Sequence, residues 1–226
     1  MIPNFLKPVL RPIYRCFASF RLYWVLRIIG YKHKSRDELH RYWRHPLESD
    51  NVPQEYVDGE AKSSFLVHLI EKYVNTGKII EIGCNVGRNL NHLYLAGFRE
   101  LTGIEINENA CRLLKEHYPD MARDAQIYNK PIEEVIGEFG DREFNVVFTM
   151  AVLEHIHTDS EWIFPEVARI ANKLLITIEA ERWYSQRHFP RNYKEVFEPL
   201  GMKQIEAIAC SDDNGLGGYI ARVFER

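Results

Sequence analysis

The nine residues Glu81-Ile82-Gly83-Cys84-Asn85-Val86-Gly87-Arg88-Asn89 join a short apolar strand pattern at residues 78–82 to a helical pattern at residues 89–95. Two glycines separated by three residues let a ligand approach the backbone closely, and the start of the helix offers unpaired N–H groups. The spacing differs from the dinucleotide fingerprint G-x-G-x-x-G, because position 85 is Asn and position 88 is Arg. This difference argues against a nicotinamide oxidoreductase.

Acidic residues stand at the ends of the first two predicted strands. Glu81 precedes the first glycine by two residues, which is unsuitable for a pyrophosphate but suits a ligand with a cationic group. Glu105, in Gly103-Ile104-Glu105-Ile106-Asn107, ends the next strand, where an acid is placed to accept both hydroxyls of a ribose.

Strand and helix patterns alternate from residue 63 onwards and predict an α/β fold, with a parallel sheet and helices on both of its faces. The last two strands have no helix between them, so they should form an antiparallel pair at one edge. The predicted helices cover residues 63–75, 89–95, 107–117, 132–139, 159–171 and 193–200, and the predicted strands cover residues 78–82, 101–105, 125–128, 144–149, 174–179, 202–210 and 218–224.

A third segment, residues 144–156, places Val152-Leu153-Glu154-His155-Ile156 after a strongly apolar strand. With the segments EIGCNVGRN and GIEIN in that order, the chain resembles the class I S-adenosylmethionine-dependent methyltransferase family over residues 63–226. The resemblance implies a Rossmann-like, seven-stranded, mostly parallel sheet with an antiparallel last strand. It also implies S-adenosylmethionine as the cofactor.

The same resemblance assigns cofactor-binding roles. Glu81 would meet the α-amino group of the methionine moiety, Glu105 the ribose hydroxyls, and Ile106 the adenine. Pro131 stands where the family often has an acid near the adenine, so Asn129 or backbone groups near Ile132 would substitute for it. The methionine and ribose portion would be lined by Gly83, Cys84, Asn85 and Gly87, and the sulfonium would lie beside Thr149 and Met150.

Three histidines are candidates for a catalytic base, which methyl transfer needs only if the acceptor must lose a proton. His155 and His157 follow the fourth strand, and His188 follows the fifth. Each could equally have a structural role. The aromatic and basic residues around His188, at positions 182–191, suit a sugar or an anionic acceptor, or a solvated loop. No cluster with metal-ligand spacing is evident in the sequence, so no metal site is expected.

These features predict a methyltransferase acting on a small-molecule, saccharide or lipid-linked acceptor, with oxygen favoured over nitrogen. No nucleic acid partner is expected, because the body of the protein is acidic and no Asn/Asp-Pro-Pro-aromatic stretch follows the fourth strand. The alternative is a non-catalytic module that binds the cofactor and is recruited through its N-terminal arm.

Charge divides the 226-residue chain into unequal parts. Residues 1–36 carry eight basic and no acidic side chains, whereas residues 37–226 carry 21 basic and 32 acidic ones, a net charge of −11. We predict a basic amphipathic helical arm (residues 1–36), a connector or lid (37–62) and the methyltransferase domain (63–226). Residues 1–30 would contact a membrane surface, the body or a second subunit. The four cysteines lack C-x-x-C spacing, and no secretory signal is recognised, so a cytoplasmic location is expected.

Overall fold

The computed structural model describes residues 32–46 and 51–226. Most of the predicted basic arm, including its predicted helix and its membrane or homodimer contact, lies outside the described residues. Within the ranges described, no helix combines the length and the apolar character that crossing a lipid bilayer requires.

Seven strands form one sheet in this part of the chain, in the order β3-β2-β1-β4-β5-β7-β6. Strands β1 to β5 pair in parallel, whereas β7 lies antiparallel between β5 and β6. The predicted fold, including the antiparallel pair at one edge, is therefore confirmed. The strands are β1 (Ile79–Ile82), β2 (Leu101–Ile104), β3 (Gln126–Tyr128), β4 (Phe144–Met150), β5 (Ala171–Glu179), β6 (Lys203–Ala209) and β7 (Ile220–Glu225).

Helices cover both faces of the sheet, because the buried strands have apolar side chains on both sides. Along β4, Phe148 packs into one core with the helices Glu60–Glu71 and Arg88–Leu95. Val147 packs into the opposite core with the helices Ile163–Ile170 and Tyr193–Phe197. The α-helices are α1 (Arg36–Arg44), α2 (Glu60–Glu71), α3 (Arg88–Leu95), α4 (Glu108–His117), α5 (Pro119–Asp124), α6 (Ile132–Val135), α7 (Ile163–Ile170) and α8 (Tyr193–Phe197). Short 3₁₀ helices span Pro53–Tyr56, Ile136–Glu138, Leu153–His155, Thr158–Ser160, Glu198–Leu200 and Asp212–Asn214.

Two α-helices were not predicted from the sequence. Helix α1 begins after Ser35, whose hydroxyl accepts from the backbone of Glu38 while the Glu38 carboxylate accepts from the backbone of Ser35. This capping box explains why a helix begins at the last residue of the predicted arm and continues into the stretch predicted as connector. Helix α5 begins at Pro119, a residue that is tolerated in the first turn because its missing N–H would be unpaired there.

The segment before α2 lies against the carboxyl ends of β1 and β2. The Asn107 side chain donates a hydrogen bond to the carbonyl of Trp43 (3.1 Å), and Arg88 Nη1 donates to the carbonyls of Tyr56 (2.9 Å) and Asp58 (2.7 Å). The segment therefore lies next to the glycine-containing turn.

Candidate active site

The turn after β1 has a backbone that only glycine adopts without strain at two positions. Gly83 and Gly87 both have φ of +75°. A Cβ atom on Gly83 would lie 2.4 Å from a methyl group of Val152, and one on Gly87 would lie 2.6 Å from Leu114. Between them, Asn85 has a φ of +46°. The glycines of the turn are thus tightly packed against other parts of the protein, with Val152 from the loop after β4 next to Gly83.

Glu81 is a buried carboxyl beside this turn. Its Oε1 accepts a hydrogen bond from Asn89 Nδ2 (2.7 Å), while its Oε2 has no hydrogen-bond partner among the described residues. Burial raises the pKa of Glu81 to about 8. A buried, half-satisfied carboxyl of this kind can pair with a cationic group.

Glu105 follows β2 and is also buried. Its two oxygens accept the backbone N–H groups of Asn107 (2.7 Å) and Asn85 (2.8 Å), and burial raises its pKa. The backbone of Ile106 also donates to this carboxylate, and since its two oxygens have four lone-pair sites together, one site remains for a further donor. Glu105 therefore ties the glycine-containing turn to the start of α4 and keeps acceptor capacity.

A cavity of about 210 Å³ lies beyond Glu105. Ile106 and Asn129, the residues predicted near an adenine, both line it together with Pro131. The side chain of Ile132 points elsewhere, into the core, so Ile132 could meet a ligand only through its backbone. The remaining lining residues are Arg44, His45, Glu108, Lys130 and Glu134.

Three other residues predicted to bind the cofactor differ in which of their atoms a ligand could contact. The Cys84 side chain is buried in the core, so only its backbone belongs to the turn. The Thr149 hydroxyl is also buried and donates to Glu179 Oε1 (2.7 Å), which leaves it positioning Glu179 and not facing a ligand. Met150 lies on the same side as Glu81, with its sulfur 3.8 Å from the Asn89 amide nitrogen.

His155 and His188, two of the three predicted catalytic histidines, come together around Glu154. Their ring centroids are 4.5 Å apart, and the Nε2 atom of each lies 3.6 Å from Glu154 Oε1. Burial lowers the pKa of His155 to about 3 and that of His188 to about 4, so both rings are neutral at neutral pH. Burial and the neighbouring Glu179 carboxyl raise the pKa of Glu154.

His157, the third candidate, has a different position. Its Nδ1 accepts the backbone N–H of Asp159 (3.0 Å) and caps the 3₁₀ helix Thr158–Ser160. Its ring lies 5.2 Å from that of Phe189, measured between centroids. His157 therefore caps a helix, a structural role that His155 and His188 do not have.

Glu154 and Glu179 were not assigned roles from the sequence. Glu179 ends β5 and accepts the backbone N–H groups of Val152 (3.0 Å) and Glu154 (3.3 Å), so it holds the loop after β4. The expectation of no metal-ligand cluster rested on spacing along the chain. The fold nevertheless brings Glu154, His155 and His188 together, with one ligand atom from each within 4.8 Å of the others.

Comparisons with known proteins agree with this fold. Residues 80–173 match the family model described as a methyltransferase domain. An uncharacterised protein of Methanocaldococcus jannaschii is 26% identical over 96 residues, which are 42% of this chain and 43% of that protein. The chain therefore spans less than half the length of this curated relative.

Solved structures resemble the chain over most of its length at low sequence identity. A chain from the complex of the Haloferax volcanii Trm112 methyltransferase activator with a methyltransferase has a TM-score of 0.66 and 13% identity (85% of this chain, 99% of that one). The Burkholderia thailandensis 1,6-didemethyltoxoflavin-N1-methyltransferase has a TM-score of 0.64 and 15% identity (85% and 91%). The magnesium protoporphyrin IX methyltransferase of Synechocystis has 0.63 and 14% (84% and 98%).

At these sequence identities the solved structures are evidence for the fold alone. The family model is evidence for a methyltransferase domain. The model covers β1 to the start of β5, which includes the glycine-containing turn, Glu105 and the loop after β4. Residues 80–173 therefore match a methyltransferase domain, and the described residues share the fold of class I S-adenosylmethionine-dependent methyltransferases.

Proposed function

We propose that the protein transfers a methyl group from S-adenosylmethionine to a small-molecule, saccharide or lipid-linked acceptor, with oxygen favoured over nitrogen. The observation that carries the proposal is the pairing of Glu81 with the glycine-containing turn. Glu81 Oε2, which has no hydrogen-bond partner among the described residues, suits the α-amino group of the cofactor.

The other predicted cofactor contacts fit the same orientation. Glu105 would accept a ribose hydroxyl through its remaining lone-pair site, and the cavity at Ile106 and Asn129 would receive the adenine. Met150 would lie near the reactive end of the cofactor. When bound, the cofactor would supply an electrophilic methyl group on its sulfonium. The task of the chain is to align an acceptor with that group and to exclude water.

The acceptor would lie between the segment before α2 and the loop after β5. Aromatic rings from both sides meet there: Trp43 lies 4.6 Å from the ring of His155, Trp183 lies 6.0 Å from that of His188, and the Arg187 guanidinium lies 4.1 Å from the centre of the Tyr42 ring. Aromatic planes beside a guanidinium suit a sugar or an anionic group. The stretch 37–62, predicted as connector or lid, would close over the acceptor.

The substrates of two structurally similar enzymes support a small acceptor. The Burkholderia thailandensis enzyme is named for 1,6-didemethyltoxoflavin and the Synechocystis enzyme for magnesium protoporphyrin IX, and both were solved with S-adenosylhomocysteine.

A panel assay tests the proposal. The full-length protein is incubated with S-adenosylmethionine and small alcohols, phenols, saccharides, lipid-linked sugars, RNA, DNA and protein mixtures, and S-adenosylhomocysteine release is measured. We expect turnover only with small-molecule, saccharide or lipid-linked acceptors. Methyl transfer restricted to nucleic acid or protein would refute the acceptor class. Cofactor binding without turnover on any acceptor would favour the non-catalytic module.

The arm remains a separate prediction. Deleting residues 1–30 should abolish binding to anionic vesicles, as measured by sedimentation, while affinity for S-adenosylhomocysteine is retained. Equal vesicle binding by the truncated and full-length proteins would contradict the membrane contact and leave contact with the body or a second subunit. We also propose a cytoplasmic location for the protein.

A further inference from the structure

Three side chains with metal-binding atoms converge in the loops after β4 and β5. Glu154 Oε1 lies 3.6 Å from His155 Nε2 and 3.6 Å from His188 Nε2. Around a tetrahedral ion with bonds of about 2.0–2.1 Å, neighbouring ligand atoms lie about 3.4 Å apart. Both carboxylate–imidazole distances are therefore close to the spacing that a shared ion would impose.

The far atoms of the same three side chains are held by the protein. His155 Nδ1 lies 2.8 Å from the Arg187 carbonyl, which can only accept, so this nitrogen carries the proton and leaves the lone pair on Nε2. His188 Nδ1 is hydrogen-bonded to Ser185 Oγ (2.5 Å). Histidine ligands of metals are usually oriented by such a bond from the second ring nitrogen.

The carboxylate is anchored in the same manner. Glu154 Oε2 accepts the backbone N–H of Ala180, at the end of β5, which leaves Oε1 directed at the two imidazoles. The Glu154 side chain is only 2% exposed, while those of His155 and His188 are 15% and 20% exposed. The cluster is thus shielded on the carboxylate side and reachable on the histidine side, where Trp43 and Trp183 lie.

We propose that Glu154, His155 and His188 form a binding site for one divalent first-row transition-metal ion, of which Zn²⁺ is the representative. Two imidazole nitrogens and one carboxylate oxygen favour such an ion over Mg²⁺ or Ca²⁺, which prefer oxygen ligands. Three protein ligands leave a position open, as in catalytic zinc sites.

The open position gives the ion a role at the acceptor end of the site. An acceptor hydroxyl bound there would have its pKa lowered by the ion, so that it could lose its proton at neutral pH. This role rests on the proposed function, whereas binding of the ion does not. The two histidines would then act as one ligand set with Glu154 and not as separate bases.

Metal titration of the full-length, tag-free protein after dialysis against a chelator tests the proposal. We expect one Zn²⁺ per chain by calorimetry, and one Co²⁺ per chain with visible absorption bands and quenching of tryptophan fluorescence. Glu154→Gln and His188→Ala should each weaken binding by about 100-fold or more, because loss of an outer-shell partner alone typically costs 10- to 100-fold. The matched control His68→Ala removes an exposed histidine outside the cluster and should bind as the wild type does.

The proposal is overturned if wild type and both cluster variants bind Zn²⁺ with equal affinity, or if Co²⁺ gives no visible bands. A response to Mg²⁺ but not to Zn²⁺ or Co²⁺ would also overturn it. Circular dichroism and S-adenosylhomocysteine affinity, measured on every variant, show whether the fold and the cofactor site are intact. Loss of ion binding with retained cofactor binding can therefore be separated from failure of the methyltransferase proposal.

Discussion

Replacing Glu81 with Gln removes the buried negative charge while keeping the shape of the side chain. The Gln carbonyl can still accept the hydrogen bond that Asn89 Nδ2 makes to Oε1 of the carboxylate (2.7 Å). What is lost is the charge at Oε2, the oxygen with no partner in the described part of the chain. The substitution therefore tests the contact proposed for the cationic α-amino group of the cofactor.

The size of the effect follows from the raised pKa of Glu81, about 8. Leaving a buried cation without its partner costs about 3–5 kcal/mol. Wild type must first deprotonate Glu81, which costs about 1.4 kcal/mol at pH 7 because the pKa lies one unit above the pH. The net loss of affinity at pH 7 is about 1.6–3.6 kcal/mol, or roughly 15- to 450-fold in Kd.

The pH dependence separates charge from shape. A carboxyl with a pKa of about 8 is about 1% ionised at pH 6 and about 9% ionised at pH 7. An α-amino group stays protonated over this range, so the wild-type affinity should rise about tenfold from pH 6 to pH 7. The Gln variant has no proton to lose at this position and should show no such rise.

Calorimetric titration with S-adenosylhomocysteine, which carries the same α-amino group, measures both effects. Glu116→Gln, on the exposed side of α4, is the control and should follow the wild-type pH profile. Parallel pH profiles for wild type and Glu81→Gln would refute the reasoning, even if the variant bound more weakly at every pH.

Three further predictions concern the turn, the second acid and the sheet edge. Gly83→Ala should lower the free energy of unfolding in urea by about 1–3 kcal/mol more than Gly97→Ala, because both have positive φ but only at Gly83 does a Cβ meet a neighbour within 4 Å. Glu105→Gln should weaken S-adenosylhomocysteine binding about tenfold in calorimetry, since the amide has one acceptor oxygen where the carboxylate has two. Arg222→Ala should lower the melting temperature through a loss of about 3 kcal/mol, because it leaves the buried Glu181 carboxylate without its two-point partner (2.6 and 2.7 Å); an unchanged melting temperature would contradict this.

The sheet was predictable because its signals are local. Each inner strand is a short run of branched apolar residues followed by a helix pattern, and the absence of a helix between β6 and β7 indicated their antiparallel pairing. Helix boundaries were less predictable. The predicted helix over residues 159–171 overlaps the 3₁₀ helix Thr158–Ser160 and covers the shorter α7. It ends earlier than predicted because β5 begins at Ala171, which pairs with Phe144.

The site was predictable where its residues are neighbours in sequence. Glu81 and the two glycines share one nine-residue stretch, so their proximity needs no tertiary information. The cluster of Glu154 with His188 depends on the loops after β4 and β5 meeting at the carboxyl ends of these strands, which spacing along the chain does not reveal. Thr149 shows a second limit, because its bond to Glu179 depends on the register between β4 and β5.

Arg88 links the segment before α2 to the glycine-containing turn. Its guanidinium reaches the carbonyls of Tyr56 and Asp58, and a Cβ on Gly59 would lie 2.8 Å from it. Lifting the segment away would strip a buried cation of two acceptors, at a cost of about 3 kcal/mol or more. That cost would limit the opened form to roughly one molecule in a hundred or fewer, and an acceptor in the position proposed above would bind through this minor form. A cofactor bound at the glycine-containing turn would restrict the movement of Arg88 and make this opening still rarer.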